Sequence, residues 1–122
     1  MSAGKLVGPD FVAFVVEDVE AAATFWTDVV GLKRAAHSPP GAQLFETSPI
    51  SFAIRSPRPG ETVGNGKGLA IWFSVTGDVD EYRRALMQRG ADAGEVDDGP
   101  FGRMFALRSP GGFSVIVHAG QQ

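Results

Sequence analysis

The chain has 122 residues, a formal net charge of -3 and no cysteine, which limits it to one domain or two small halves that share a core. The lack of cysteine excludes disulfides, thiolate zinc sites and cysteine nucleophiles, and the acidic balance argues against nucleic-acid binding. No apolar run approaches the roughly 20 residues of a membrane helix and the N-terminus lacks a signal pattern, so we expect a cytoplasmic protein that does not bind membranes.

The stretch from Asp10 to Leu32 predicts a strand followed by a helix. Residues 11–16 are an alternating run with two apolar faces, so one face can meet a core and the other a second apolar surface. Asp18 can accept from the free N–H groups of the next turn, and Gly31 is expected to end the helix in a left-handed conformation. The helix has an apolar stripe at a 3.6-residue period, formed by Ala22, Phe25, Trp26 and Val29.

Three short strands complete the first half, at 32–36, 42–47 and 50–55, so that its predicted order is β-α-β-β-β. Residues 56–68 are rich in glycine and have no apolar periodicity. They predict a long loop that links the two halves and could act as a lid.

The second half repeats this order, beginning with a strand at 69–75. Asp78 is the predicted N-cap of its helix, and Glu81 follows three residues later in a capping-box arrangement. The remaining strands are predicted at 91–96, 103–108 and 113–118.

The two halves match by a nearly constant offset. The predicted N-caps are 60 residues apart and the two Ser-Pro turns, at 48–49 and 109–110, are 61 apart, which aligns Arg55 with Ile116. We therefore predict a single domain, 1–122, of the α+β class, with two βαβββ modules that form a curved mixed sheet with a concave ligand site. The modules are predicted at 10–55 and 69–119.

Strand alternation predicts which side chains face the concave side. In the strand at 69–75 the odd-numbered positions are all apolar and suit the helix-packed face, which leaves Trp72 on the open face. The same alternation, carried from one half to the other by the repeat, predicts that the concave face is lined by apolar and aromatic side chains with a few polar ones. The predicted lining residues are Phe11, Gln43, Phe45, Arg55, Trp72, Met104, Ile116 and His118.

Three of these residues have an alternative interpretation without a ligand. Trp72 could lie in a core or a dimer interface, because large aromatic side chains serve all of these roles. Arg55 could form an ion pair with Glu46 on the neighbouring strand. His118, near the C-terminus, could be a solvated histidine and not an acid or base.

Both ends of the chain resemble one known family. Residues 11–19 (FVAFVVEDV), Phe25-Trp26 and 29–32 (VVGL) are similar to the opening of the vicinal oxygen chelate superfamily, which includes glyoxalase I, bleomycin resistance proteins and extradiol dioxygenases. Residues 100–103 (PFGR) and 109–113 (SPGGF) resemble its closing strand pair, where members usually have an Asp-Pro-Asp-Gly-Asn turn. The resemblance implies paired βαβββ modules, a homodimer and sites in the concavity of the sheet.

The resemblance also implies where a divalent metal would be held in the family's enzymes. Their ligand positions fall on Phe11, Arg55, Ala70 and Ile116 of this sequence. Hydrocarbon side chains have no lone pairs and a guanidinium repels a cation, so we expect neither a metal nor another cofactor at these positions.

The leading hypothesis is a metal-independent protein that sequesters an aromatic or amphipathic small molecule such as an antibiotic, as the family's resistance proteins do. One alternative is a glyoxalase-like lyase or isomerase, or a dioxygenase-type enzyme, with a relocated metal or with His118 as acid or base. A second alternative is an interaction domain whose cavity is filled by side chains.

Overall fold

The computed structural model describes residues 4–64, 68–100 and 102–119. It confirms the predicted α+β class, with two mixed sheets in the strand orders β1-β3-β2 and β4-β7-β6-β5. The first half consists of β1 (Phe11–Val15), α1 (Val19–Thr24), a π-helical segment (Phe25–Val30), β2 (Ala42–Phe45) and β3 (Ser51–Arg55). The second half consists of β4 (Trp72–Val75), α2 (Val79–Gln88), β5 (Asp97–Gly99), β6 (Gly102–Arg108) and β7 (Ser114–Ala119).

Both predicted helix starts are confirmed. The Asp18 carboxylate accepts a hydrogen bond from the backbone N–H of Ala21 at 2.9 Å, and Asp78 accepts one from Glu81 at 3.0 Å. Each bond satisfies an N–H group that has no partner within the first turn. No helix in the described parts of the chain is long and apolar enough to cross a membrane.

The first helix changes from an α-helix to the wider π-helix at Phe25, which the sequence did not predict. The π-helical segment ends at Gly31, whose φ of 99° is the left-handed conformation expected there. Side chains of α2 bind the last carbonyl groups of the segment: the Tyr82 hydroxyl donates to Val30 at 2.7 Å, and Arg89 donates to Val29 at 3.0 Å. These bonds tie the helices of the two halves together.

Two predicted strands are reduced to single bridges. Residues 32–36 form one β-bridge with β2, between Arg34 and Phe45, and residues 91–96 form one with β6, between Ala93 and Leu107. These segments lie at sheet edges and lack a run of β-branched or aromatic residues, so little side-chain packing supports a longer ladder. The edge strand of the second sheet, β5, instead follows at residues 97–99.

A single aromatic core joins the two halves. Phe14 stacks on Phe113 with ring centroids 4.2 Å apart, and Trp26 stacks on Phe73 at 5.3 Å. Phe52 makes edge contacts with both Trp26 and Phe73. Only one face of each sheet contributes to this core. We call the other face of each sheet its open face, and both open faces lie outside the shared core.

Candidate functional site

The two strand ladders align the halves more accurately than the sequence offset does. Phe14 and Phe73 both contact Trp26, and they lie opposite Ile54 and Val117 respectively. The next residues along β3 and β7 are Arg55 and His118, which therefore occupy equivalent open-face positions. The predicted equivalence of Arg55 with Ile116 is wrong by two residues, because it was counted from the two Ser-Pro turns, and Arg55 follows Pro49 by six residues whereas His118 follows Pro110 by eight.

The open face of the second sheet brings together four of the predicted site residues. Trp72 lies opposite Ile116, and His118 lies opposite Met104. The Trp72 and His118 rings meet edge to face with centroids 5.2 Å apart. Within the described part of the chain, the buried Nδ1 of His118 has no hydrogen-bond partner. The result is a patch in which the apolar side chains of Trp72, Ile116 and Met104 adjoin the His118 ring, with Ser74 and Asp97 on the same face.

The other two open-face residues, Phe11 and Arg55, lie on the first sheet. Phe11 is 48% exposed. The Arg55 guanidinium binds both carboxylate oxygens of Glu61, at 2.6 and 2.8 Å. The alternative pairing of Arg55 with Glu46 is wrong, since Glu46 contacts Lys33 at 3.8 Å. The start of the predicted loop thus folds back onto β3, while residues 65–67 of that loop lie outside the described residues.

Arg55 also changes the acidity of its partner. Its hydrogen bonds, together with the backbone N–H of Arg58, lower the pKa of Glu61 from 4.5 to about 2. The same hydrogen bonds raise the pKa of Arg55. The pair therefore stays ionised at neutral pH, and the guanidinium is occupied by the chain itself.

The prediction that Gln43 and Phe45 line the open face is wrong. Phe45 is 4% exposed and stacks on Phe52 in the core, with ring centroids 5.7 Å apart. Gln43 lies on the same strand face, opposite Ile54, and its amide donates to the carbonyl of Leu44. A shift of one residue in a strand reverses which face every side chain occupies, and the predicted phase of β2 was shifted by one.

A cleft of about 600 Å³ opens beside β4, between this edge strand and the first sheet. Trp72, which is 38% exposed, connects the cleft to the open face of the second sheet. Two further exposed apolar side chains, Ile50 and Leu69, lie in its wall. The described residues that line the cleft are Pro9, Val12, Leu32, 46–52 and 69–74.

Of the predicted site residues, Trp72 is the one that lines this cleft; the other lining residues were missed. The cleft is formed where three segments that are distant in sequence meet. Alternation within one strand does not predict such contacts between segments. Ile50 and Leu69 were placed inside the predicted strands 50–55 and 69–75, whereas β3 begins at Ser51 and β4 at Trp72, which leaves both side chains exposed ahead of the strands.

The residues at the family's ligand positions do not fit a divalent metal. Phe11, Ala70 and Ile116 have no donor atoms, and Ala53, which the ladders make equivalent to Ile116 in place of Arg55, has none either. The described residues also contain no group of three or more His, Asp or Glu side chains that could hold a metal ion. On the open face of the second sheet, His118 is accompanied by Asp97, which lies opposite Met104, and two such side chains are fewer than a metal site of three ligands needs.

The fold is shared by solved structures of different function. A bleomycin-binding protein from bleomycin-producing Streptomyces verticillus, complexed with copper(II)-bleomycin, has 23% identity and a TM-score of 0.72, with 98% of this chain and 100% of that chain covered. The antibiotic-binding protein TnmS3 from a Streptomyces species has 19% identity and a TM-score of 0.71, covering 97% and 100%. Lactoylglutathione lyase from Agrobacterium tumefaciens has 19% identity and a TM-score of 0.70, covering 96% of each chain.

Each of these similarities is below 25% identity and shows the fold alone. No curated protein matches the chain. A family model, by contrast, matches nearly the whole sequence, from residue 8 to residue 117. The chain therefore belongs to the Glyoxalase/Bleomycin resistance protein/Dioxygenase superfamily.

Proposed function

We propose that the protein binds and sequesters a small aromatic or amphipathic molecule, such as an antibiotic, without a metal. The observation that carries this proposal is the position of Trp72, at the junction between the 600 Å³ cleft and the apolar open face of the second sheet. An exposed indole beside an apolar cleft suits a planar ligand, because aromatic stacking adds to the burial of apolar area. Clefts that bind small molecules have volumes in this range and combine apolar walls with few polar groups.

The chemistry of the site favours binding over metal-assisted catalysis. The ligand positions of the superfamily's enzymes carry hydrocarbon side chains here, and the nearby Arg55 is neutralised by Glu61. Sequestration requires affinity alone, and a micromolar dissociation constant corresponds to about -8 kcal/mol. The antibiotic-binding proteins among the structural neighbours support this proposal. The lyase among them supports the alternative of an enzyme.

Within the site, the enzyme alternative is favoured by the buried Nδ1 of His118, which has no hydrogen-bond partner among the described residues. A histidine that meets a ligand could act as a general acid or base near neutral pH. Among the described residues no carboxylate is hydrogen-bonded to the buried Nδ1 of His118, so the partner that usually orients a catalytic histidine is not found at this atom.

The proposal is tested by titrating the protein with bleomycin and a panel of aromatic antibiotics, using calorimetry. We expect micromolar binding of at least one compound and a loss of roughly tenfold or more in Trp72→Ala, which is about 1.4 kcal/mol. Met87→Ala is the matched control, because Met87 is an exposed apolar residue of α2 outside the cleft. Equal binding by Trp72→Ala would contradict the site. Stoichiometric Zn, Fe, Mn or Ni in protein purified without chelator would contradict metal independence.

A further inference from the structure

One charged side chain is found among the described residues that line the cleft. Among the described residues that line it, Glu46 is the only one with an ionisable group. The other polar lining side chains are hydroxyl groups, and that of Thr47 already donates to the carbonyl of Ile50 at 2.7 Å. This carboxylate and the net charge of -3 favour a cationic ligand group over an anionic one in the cleft.

The Glu46 carboxylate can accept a further cation. Its ion pair with Lys33 spans 3.8 Å between two exposed side chains, and Lys33 does not line the cleft. Glu61 differs, because both of its oxygens accept from Arg55 and one also accepts from the N–H of Arg58. An ammonium group can therefore approach Glu46, whereas Glu61 is already saturated.

We infer that the cleft selects a cationic amphiphile, a molecule with an aromatic ring and a protonated amine. The ring would pack against Trp72, Ile50 and Leu69, and the amine would pair with the Glu46 carboxylate. A carboxylate on the same ring is disfavoured, because it would meet a like charge beside an apolar wall. This inference rests on the proposed function and names the charge class of its ligand.

The test compares three probes that share one ring: 1-naphthylmethylamine, 1-naphthalenemethanol and 1-naphthoate. Calorimetric titration at about pH 7 and low salt gives their affinities for the wild type, Glu46→Gln, Lys33→Gln and Glu95→Gln. Glu95→Gln is the matched control, because it changes the net charge by the same amount at an exposed site outside the cleft.

We expect the amine to bind the wild type most tightly and the carboxylate most weakly. Glu46→Gln should weaken amine binding by roughly two- to fivefold, which is what exposed charge pairs supply. Lys33→Gln should strengthen it, because it removes the competing cation. The alcohol should bind all four proteins equally, and salt at about 0.5 M should reduce the difference between amine and alcohol.

The outcomes separate the two proposals. If all three probes bind equally to every variant, the charge inference is overturned and the proposed function stands. Tighter binding of the carboxylate, or an equal loss in Glu95→Gln and Glu46→Gln, would also overturn the inference. If no probe binds and the antibiotic panel also fails, the proposed function is contradicted as well.

Discussion

Arg55 and His118 occupy equivalent positions in the two halves but have different surroundings. Arg55 is held by Glu61, which returns from the following loop, whereas Nδ1 of His118 has no hydrogen-bond partner in the described part of the chain. The first open face is thus neutralised by the chain itself, and the second presents a titratable ring beside Trp72. The two halves have the same backbone pattern but different chemistry at the same place.

The Arg55–Glu61 pair makes stability depend on pH. Because the pKa of Glu61 in the fold is about 2, below its ordinary 4.5, its stabilising contribution is complete above about pH 4.5 and is lost as the pH falls towards 2. We expect Glu61→Gln to have a lower Tm than the wild type at neutral pH, with the difference disappearing towards pH 2. Thermal melts across this range measure it, with Glu95→Gln as control. A Tm difference independent of pH would contradict the role of the pair.

At the scale of elements, the register of β2 against β3 determines which β2 side chains face the core. Phe45 stacks on Phe52 in the aromatic core, and its neighbour Leu44 lies opposite Ala53 on the open face. Gln43 shares the core-facing side but lies near the strand end, where its amide bonds to Leu44 and its oxygen accepts from Arg34. A polar residue is tolerated on this face because its hydrogen bonds are satisfied locally.

Because Phe45 faces the core and Phe11 faces the open side, the two Phe→Ala substitutions should differ strongly in their effect on the free energy of unfolding. Phe45→Ala should lower the free energy of unfolding by about 3–5 kcal/mol, because it leaves a cavity in the core. Phe11→Ala should cost less than about 1.5 kcal/mol, because nearly half of that side chain is already exposed. Urea unfolding of both variants measures the difference. Similar losses in the two variants would contradict the register.

At the scale of the whole molecule, the shared core leaves both open faces uncovered by the helices. Phe11 and Trp72 are partly exposed large aromatic residues on these faces. Contiguous exposed apolar surface commonly marks an interaction site, and symmetric dimers are the commonest way to cover it. We therefore retain the homodimer as a prediction, with the first open face in its interface.

Light scattering at micromolar concentration tests the assembly. We expect a mass twice that of the 12.9 kDa chain for the wild type. Phe11→Glu should give the monomer mass, since it places a charge in the interface. Met87→Glu, at a residue of similar exposure on α2, should remain dimeric. A monomeric wild type, or a dimeric Phe11→Glu, would contradict the prediction.

The sequence by itself determined the superfamily, the α+β class, both helix N-caps and the left-handed Gly31. It also placed Trp72, Ile116 and His118 on one face by the alternation of β4 and β7, and Met104 by the repeat. These features depend on local periodicity and on capping groups within a few residues of each other. Such information is present in any short window of the chain.

The tertiary structure alone decided the phase of β2, the pairing of Arg55 with Glu61 and the position of the cleft. The β2 segment has apolar residues on both faces, so its phase is fixed only by the ladder with β3. The cleft forms where Ile50, Leu69 and Trp72 meet, and their approach depends on how two sheets pack on one core. Contacts between distant segments follow from this packing, which no local pattern encodes.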